Sequence, residues 1–251
     1  MVEPGSRLGT GATVHHHGVV MSGVAAGESL EVFPFACVGG VSQDRKHDPN
    51  WDEERRPDAA SVATVRLGDR CVVREHATIH GGTCFKHRPG VTVLGDGCLI
   101  MSGVHVAHDC RLDDNVIIAS NTTLGGHVEV GRNAIVGGHS SVLQGVRIGT
   151  GAIVGGASAV SGDVVPHSVV FGNRARLRGL NLVGLRRRRT SSTDIRALER
   201  VFAYLFPGME AGATLAGADH IAYGNVSFVL RWNGFFFPVR ARLYLPNLDL
   251  V

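Results

Sequence analysis

Large aromatic side chains are scarce in this chain. Phe, Tyr and Trp together make up 6% of 251 residues, with only two Trp and three Tyr. A core stacked from aromatic rings is therefore excluded, although hydrophobic residues reach 44%; the burden falls on aliphatic side chains. No apolar run reaches membrane-spanning length, and no secretory leader is evident at the start. The five cysteines contain no Cys-x-x-Cys pair and no disulfide-like spacing, which argues for a reducing compartment and against zinc ribbons or thiol redox motifs. A net charge of +3 is too small to suggest nucleic acid as a partner.

What is present is a comb. From Leu94 through Ile100, Val106, Leu112, Ile118, Leu124 and onward to Val160 and Pro166, every sixth residue is aliphatic or, at the last step, proline. Neither an α-helix nor an alternating strand has that period, whereas hexapeptide coils do. The pattern predicts an all-β solenoid, a left-handed parallel β-helix of hexapeptide repeats. Three repeats, about 18 residues, close one triangular coil. Earlier comb runs occupy Leu8–Val38 and Leu67–Ile79. Phase breaks at about 39–66 and 80–93 are expected to be outward loops, the first polar and mobile. The slot two residues before each comb position also faces inward and must be small, which accounts for Cys71, Cys98 and Cys110 as apolar fillers. The expected division is a β-helix over 1–180 and an extension over 181–251. In that extension Ser191–Asp194 cap a helix near 192–206, with an apolar face of Ile195, Leu198, Val201, Phe202 and Leu205. Strands around Asn233-Gly234 follow.

Coil arithmetic stacks residues 18 apart. His108, Gly126 and Gln144 form one outer column, and Asp109 lies beneath His127. A near-neutral imidazole can take a proton from a hydroxyl while an adjoining carboxylate orients it. A bare peptide group at Gly126 could receive an oxyanion. The set suggests acyl transfer to a hydroxyl without a metal, cofactor or covalent enzyme intermediate. His76 and His80 are expected at the surface, and His15–His17 at a polar corner. The basic cluster Arg174, Arg176, Arg178 and Arg186–Arg189 suits either a solvated face or phosphate.

HVAHDC (His105–Cys110), NTTLGGHVEVG (Asn121–Gly131), SQDRK (Ser42–Lys46), REHATIHGGT (Arg74–Thr83), VGGASAV (Val154–Val160) and GLNLVGLRRR (Gly179–Arg188) resemble the acyl-ACP–UDP-N-acetylglucosamine O-acyltransferases, in unbroken order from about residue 8 to 189. The resemblance implies a homotrimer with active sites between neighbouring prisms. It also implies transfer of a 3-hydroxyacyl chain from acyl carrier protein to the 3-hydroxyl of UDP-N-acetylglucosamine, the first step of lipid A synthesis. His108 would be the general base, Asp109 its partner and Gly126 the oxyanion donor. Asp44, Lys46, His105, His127 and Gln144 would contact nucleotide sugar or acyl group. Gly156 would line the acyl channel, and Asn181, Arg187 and Arg188 would hold the nucleotide. The implied location is the cytoplasm, or an organelle matrix in a eukaryote, without membrane insertion.

The chain departs from the family in several places. Val183 replaces a usual acidic residue and Arg174 a usual histidine; the former removes a nucleotide contact and the latter bears on acyl length. The chain is expected to begin partway into the usual solenoid, and its tail does not match the family's helical domain. A non-catalytic relic that binds nucleotide sugar or carrier protein is the main alternative. The related N-acyltransferases carry an N-terminal uridine-binding domain that does not fit before Leu8. Acetyl-CoA-dependent hexapeptide enzymes lack the QDxK and HxxHDC set. A γ-type carbonic anhydrase needs a His-x-x-x-x-His pair, and no two of the thirteen histidines lie five apart.

Overall fold

The two-residue spacing of β-prone pairs within each hexapeptide leaves room only for very short strands. In the computed structural model, which describes residues 1–45, 64–85, 88–207, 226–232 and 235–241, these stack into three parallel faces of a left-handed β-helix. One face runs from Arg7–Leu8 to Arg147–Ile148, the second from Thr13–Val14 to Ile153–Val154, and the third from Val19–Val20 to Ala159–Val160. The step between paired rungs is 18 residues along most of the comb: Leu94 pairs with Leu112, Leu112 with Val130 and Val130 with Ile148. At its end the coil tightens, so that Ile148 meets the buried Val164 and not Pro166, and Val154 pairs with Val170. Across the breaks it lengthens, so that Val24 pairs with Val65 and Val65 with Thr92.

Comb side chains such as Ile100, Val106, Ile118 and Leu124 are fully buried along the prism axis. The small slot beside them does more than fill space. Thr122 Oγ1 donates to the Gly137 carbonyl at 2.9 Å and Ser140 Oγ to that of Gly155 at 3.1 Å. Cys98 and Cys110 donate Sγ–H to the Asp113 and Gly125 carbonyls, each at 3.2 Å. Where Cys, Ser or Thr takes this slot, it is a small donor bonded to a corner carbonyl; Val and Ala fill the slot at the other rungs. Burial pushes the Cys110 thiol up to about 12, so the proton stays in place for that bond.

One corner carries a carboxylate ladder. Asp69 Oδ1 accepts the Glu28 N–H at 2.8 Å, Asp96 Oδ1 accepts the Asp69 N–H at 3.0 Å, and Asp114 Oδ1 accepts the Asp96 N–H at 3.0 Å. Arg132 closes the column on Asp114 at 2.7 Å. Each carboxylate reaches down only because the rung below has a glycine: a Cβ on Gly68 would lie 2.2 Å from Asp96 Oδ1.

At the second break, Cys84–Phe85 pairs antiparallel with Arg88–Pro89, forming a small hairpin that leaves the coil after Thr78–His80. At the far end, Ser168–Phe171 continues the second face and Arg176–Leu180 turns back antiparallel to it. Asn181 then caps α1 (Leu182–Arg187) and Ser191 caps α2 (Ser192–Leu205). Phe202 and Phe206 of this segment pack on Leu180, Leu177 and Val165 as a second small core. Val201, expected on the buried face, points to solvent instead; contact with only one neighbour narrows the apolar stripe. Val226–Trp232 and Phe235–Ala241 form an antiparallel pair, while Asn233 and Gly234 lie outside the described residues. Among the described residues no helix is long and apolar enough to cross a membrane.

Candidate active site

The strand His105–Val106 on the third face delivers the chain into a turn at Ala107–Asp109. Asp109 sits there at φ 59°, a left-handed conformation that Asp tolerates. That turn aims the Asp109 carboxylate back at its neighbour: His108 Nδ1 and Asp109 Oδ2 are 2.9 Å apart. The carboxylate accepts, so Nδ1 carries the proton and Nε2 keeps its lone pair. His108 is 7% exposed, enough for Nε2 to reach a cleft of about 400 Å³ lined by Gln43, Asp44, Arg45, His80, His105, Ala107, His108 and Gln144. Asp44 Oδ2 stands 3.9 Å from Nε2. Lys46 lies outside the described residues.

Gly126 sits one coil above, with the His108 ring lying against its Cα. A Cβ there would come within 2.4 Å of Nε2 and Cε1. The Gly126 carbonyl accepts from Gly145 N–H at 2.9 Å, while among the described residues its N–H has no acceptor. His127 crosses His108 edge-on at 5.1 Å between ring centroids, and its Nε2 is 3.9 Å from Asp109 Oδ2.

The floor of the cleft is imidazole-rich. His105 Nδ1 bonds Thr78 Oγ1 at 2.8 Å, and His80 meets His105 edge-on at 4.7 Å. Burial, followed by the neighbouring His105 and His108, holds the His80 imidazole down at about 4. His105 shifts down for the same first reason, with His108 adding to it. Both rings are therefore neutral near pH 7 and offer hydrogen bonds rather than charge. His80, expected at the surface, is half-buried and lines the cleft.

Thr83, the last residue of REHATIHGGT, and Thr92 carry no role in the sequence reading, yet both bind Asp109. Thr83 donates its N–H and its hydroxyl to Asp109 Oδ2 at 3.1 and 2.7 Å, and Asp109 N–H donates to Thr92 Oγ1 at 2.9 Å. His108, Asp109 and His127 offer ligand atoms within 4.8 Å of one another, close enough to consider a metal. Asp109 Oδ2 already receives three donors, however, so the triad as built is a hydrogen-bond hub and not an open ligand set.

The remaining expected site residues lie elsewhere on the prism. Gly156 occupies the turn after Ile153–Val154, on the corner that follows the second face. Asn181 donates Nδ2–H to the Gly151 carbonyl at 2.9 Å and accepts the Gly184 N–H at 2.8 Å, so its amide is spent on anchoring α1. Arg188 Nη2 approaches His167 Nδ1 at 3.5 Å, beside Gly151, and Arg187 is exposed. That third corner follows Arg147–Ile148. Within one chain, then, His108, Asp109, Gly126, His127, His105, Asp44 and Gln144 converge, while Gly156 and the Asn181–Arg187–Arg188 group occupy two other corners.

Comparison with known proteins places these features in context. Residues 163–221 match the model of UDP-N-acetylglucosamine O-acyltransferase domain 2, and residues 92–126 match the bacterial transferase hexapeptide repeat. The chain is 38% identical over 199 residues to the acyl-carrier-protein–UDP-N-acetylglucosamine O-acyltransferase of Bartonella henselae, covering 79% of this chain and 68% of that one. It is 43% identical over 199 residues to the protein of the same name from Caulobacter vibrioides, with 79% and 71% covered. Among solved structures, UDP-N-acetylglucosamine acyltransferase from Campylobacter jejuni superposes with a TM-score of 0.69 at 34% identity, covering 84% of each chain.

Proposed function

Because the chain belongs to the acyl-ACP–UDP-N-acetylglucosamine O-acyltransferase family and is an acyltransferase, we propose that it moves a 3-hydroxyacyl chain from acyl carrier protein to the 3-hydroxyl of UDP-N-acetylglucosamine, opening lipid A synthesis in the cytoplasm. The observation that carries the mechanism is the 2.9 Å bond from His108 Nδ1 to Asp109, which leaves Nε2 as the base facing the cleft.

In this reading Nε2 removes the proton as the sugar oxygen attacks the thioester carbonyl. The oxyanion that forms accepts the Gly126 N–H. Collapse breaks the carbon–sulfur bond, and the departing thiolate takes the proton back from the His108 imidazolium, whose charge Asp109 has supported meanwhile. Asp44, His105, His127 and Gln144 surround the sugar and the acyl head; the resemblance gives Lys46 the same role. Arg187 and Arg188 hold the nucleotide, where guanidinium forks suit phosphate oxygens, while Asn181, its amide engaged by Gly151 and Gly184, seats the helix that carries Arg187 rather than touching the nucleotide itself. Gly156 borders the acyl channel. Since these groups occupy separate corners of one prism, the reading needs a homotrimer in which the His108 corner of one protomer faces another protomer.

The test is mass spectrometry of products from UDP-N-acetylglucosamine with a panel of 3-hydroxyacyl carrier proteins and the matching coenzyme A esters. The expected result is acylated nucleotide sugar from the carrier-protein donors alone. His108→Ala is expected to lower turnover by about 10²–10⁴-fold; turnover near that of the unaltered protein would remove His108 from the base role.

A further inference from the structure

We propose that Thr83 is a positioning residue: its hydroxyl and N–H together lock the Asp109 carboxylate in the orientation that receives His108 Nδ1–H. Three donors converge on the single oxygen Oδ2, namely Thr83 N–H at 3.1 Å, Thr83 Oγ1 at 2.7 Å and His108 Nδ1 at 2.9 Å. Asp109 Oδ1 has a neighbour too. A Cβ on Gly90 would lie 1.8 Å from it, so the bare Gly90 backbone presses on that side of the carboxylate. Below, Thr92 Oγ1 fixes the Asp109 N–H at 2.9 Å. Thr83 and Gly90 belong to the insertion between the Thr78–His80 and Thr92–Leu94 strands, and Thr92 opens the second of these; Gly90 N–H closes the insertion on the Thr83 carbonyl at 2.7 Å.

An unclamped aspartate at a surface turn can rotate its carboxylate toward water or toward His127, whose Nε2 is 3.9 Å from Oδ2. Either rotation releases Nδ1 and lets His108 take the wrong tautomer, with its proton on the nitrogen that must act as base. Thr83 is 8% exposed, so its hydroxyl has little access to water and is committed to Asp109. The insertion thus serves as a clamp on the residue that sets the tautomer. This inference rests on the reading of His108 as the base.

Thr83→Val removes the hydroxyl and keeps shape and N–H. The expected result is a fall of about tenfold in kcat with KM for UDP-N-acetylglucosamine unchanged, as for loss of one hydrogen bond to a charged group. Thr83→Ser should restore most of it. In an Asp109→Ala background, Thr83→Val should have no further effect, because its influence passes through that carboxylate. Normal kcat in Thr83→Val, or the same loss with Asp109 absent, would overturn the proposal. Thr83→Ala, compared in the same two backgrounds, decides the matter if the Val variant does not fold. Failure is separable from failure of the base reading: an active His108→Ala sinks the latter, whereas an inactive His108→Ala beside a normal Thr83→Val sinks only the clamp.

Discussion

His80 shows how one side chain couples the site to stability. Its folded value of about 4 lies below the ordinary 6.5. Between those values the unfolded chain binds a proton that the folded chain refuses, so stability rises with pH across that window. The contribution is complete above about 6.5 and is lost as pH falls toward about 4, and His105 is shifted in the same direction. Thermal melts should therefore show a drop in Tm between about pH 7 and pH 4.5 that is smaller in His80→Gln. An equal drop in both proteins would count against it. His80 was not legible as a site residue because arithmetic in steps of 18 cannot reach it: Thr78 pairs with His105 across the second break, at a step of 27. Thr83 and Thr92 were hidden by the same insertion. His108, Gly126 and Gln144 were legible because no insertion interrupts the comb between them.

At the scale of elements, the comb was readable because a prism interior asks only for aliphatic bulk at fixed spacing. The corner ladder was not, since nothing in a run such as Gly-Asp-Gly (Gly95–Gly97) says that its carboxylate serves the rung below. The ladder makes a graded prediction. Asp96→Ala removes one acceptor at a partly solvated corner and should cost about 1 kcal/mol in a denaturant titration. Gly68→Ala should cost more, because its Cβ would meet Asp96 Oδ1 at 2.2 Å and the Asp96 backbone nitrogen at 2.7 Å, and the backbone atom cannot swing away. The reverse order would mean that the glycine has no part in seating the carboxylate. The α2 face was read too broadly for a related reason: periodicity marks every apolar position, whereas a single packing partner covers only part of them, and Val201 is left out.

The whole molecule raises the question of how groups on three corners could act together. If each reaction centre combines the His108 corner of one protomer with the Arg188 corner of another, two inactive variants should complement. His108→Ala and Arg187→Ala/Arg188→Ala chains, unfolded and refolded as an equal mixture, should give a random population of trimers in which about a quarter of all interfaces, about one in three within each mixed trimer, carry both intact corners. Activity should rise toward that fraction, and its absence in verified mixed trimers would place both corners' roles within one chain. None of this was visible in the periodicity, because a repeat specifies how coils stack on themselves and says nothing of what stands beside them.

A rung spacing of 18 residues also restricts how such a chain can change length. Adding or deleting a full coil slides everything above it along the axis without re-aiming a side chain, so a longer or shorter prism could keep its chemistry. Six residues more or fewer would swing the upper part by a third of a revolution and bring Gly126 and Gln144 over a different edge from His108. Only turns that leave and rejoin the same corner, as the segment carrying Thr83 does between the Ile79 and Val106 rungs, escape that quantisation, and there new function can be grafted without disturbing the staircase.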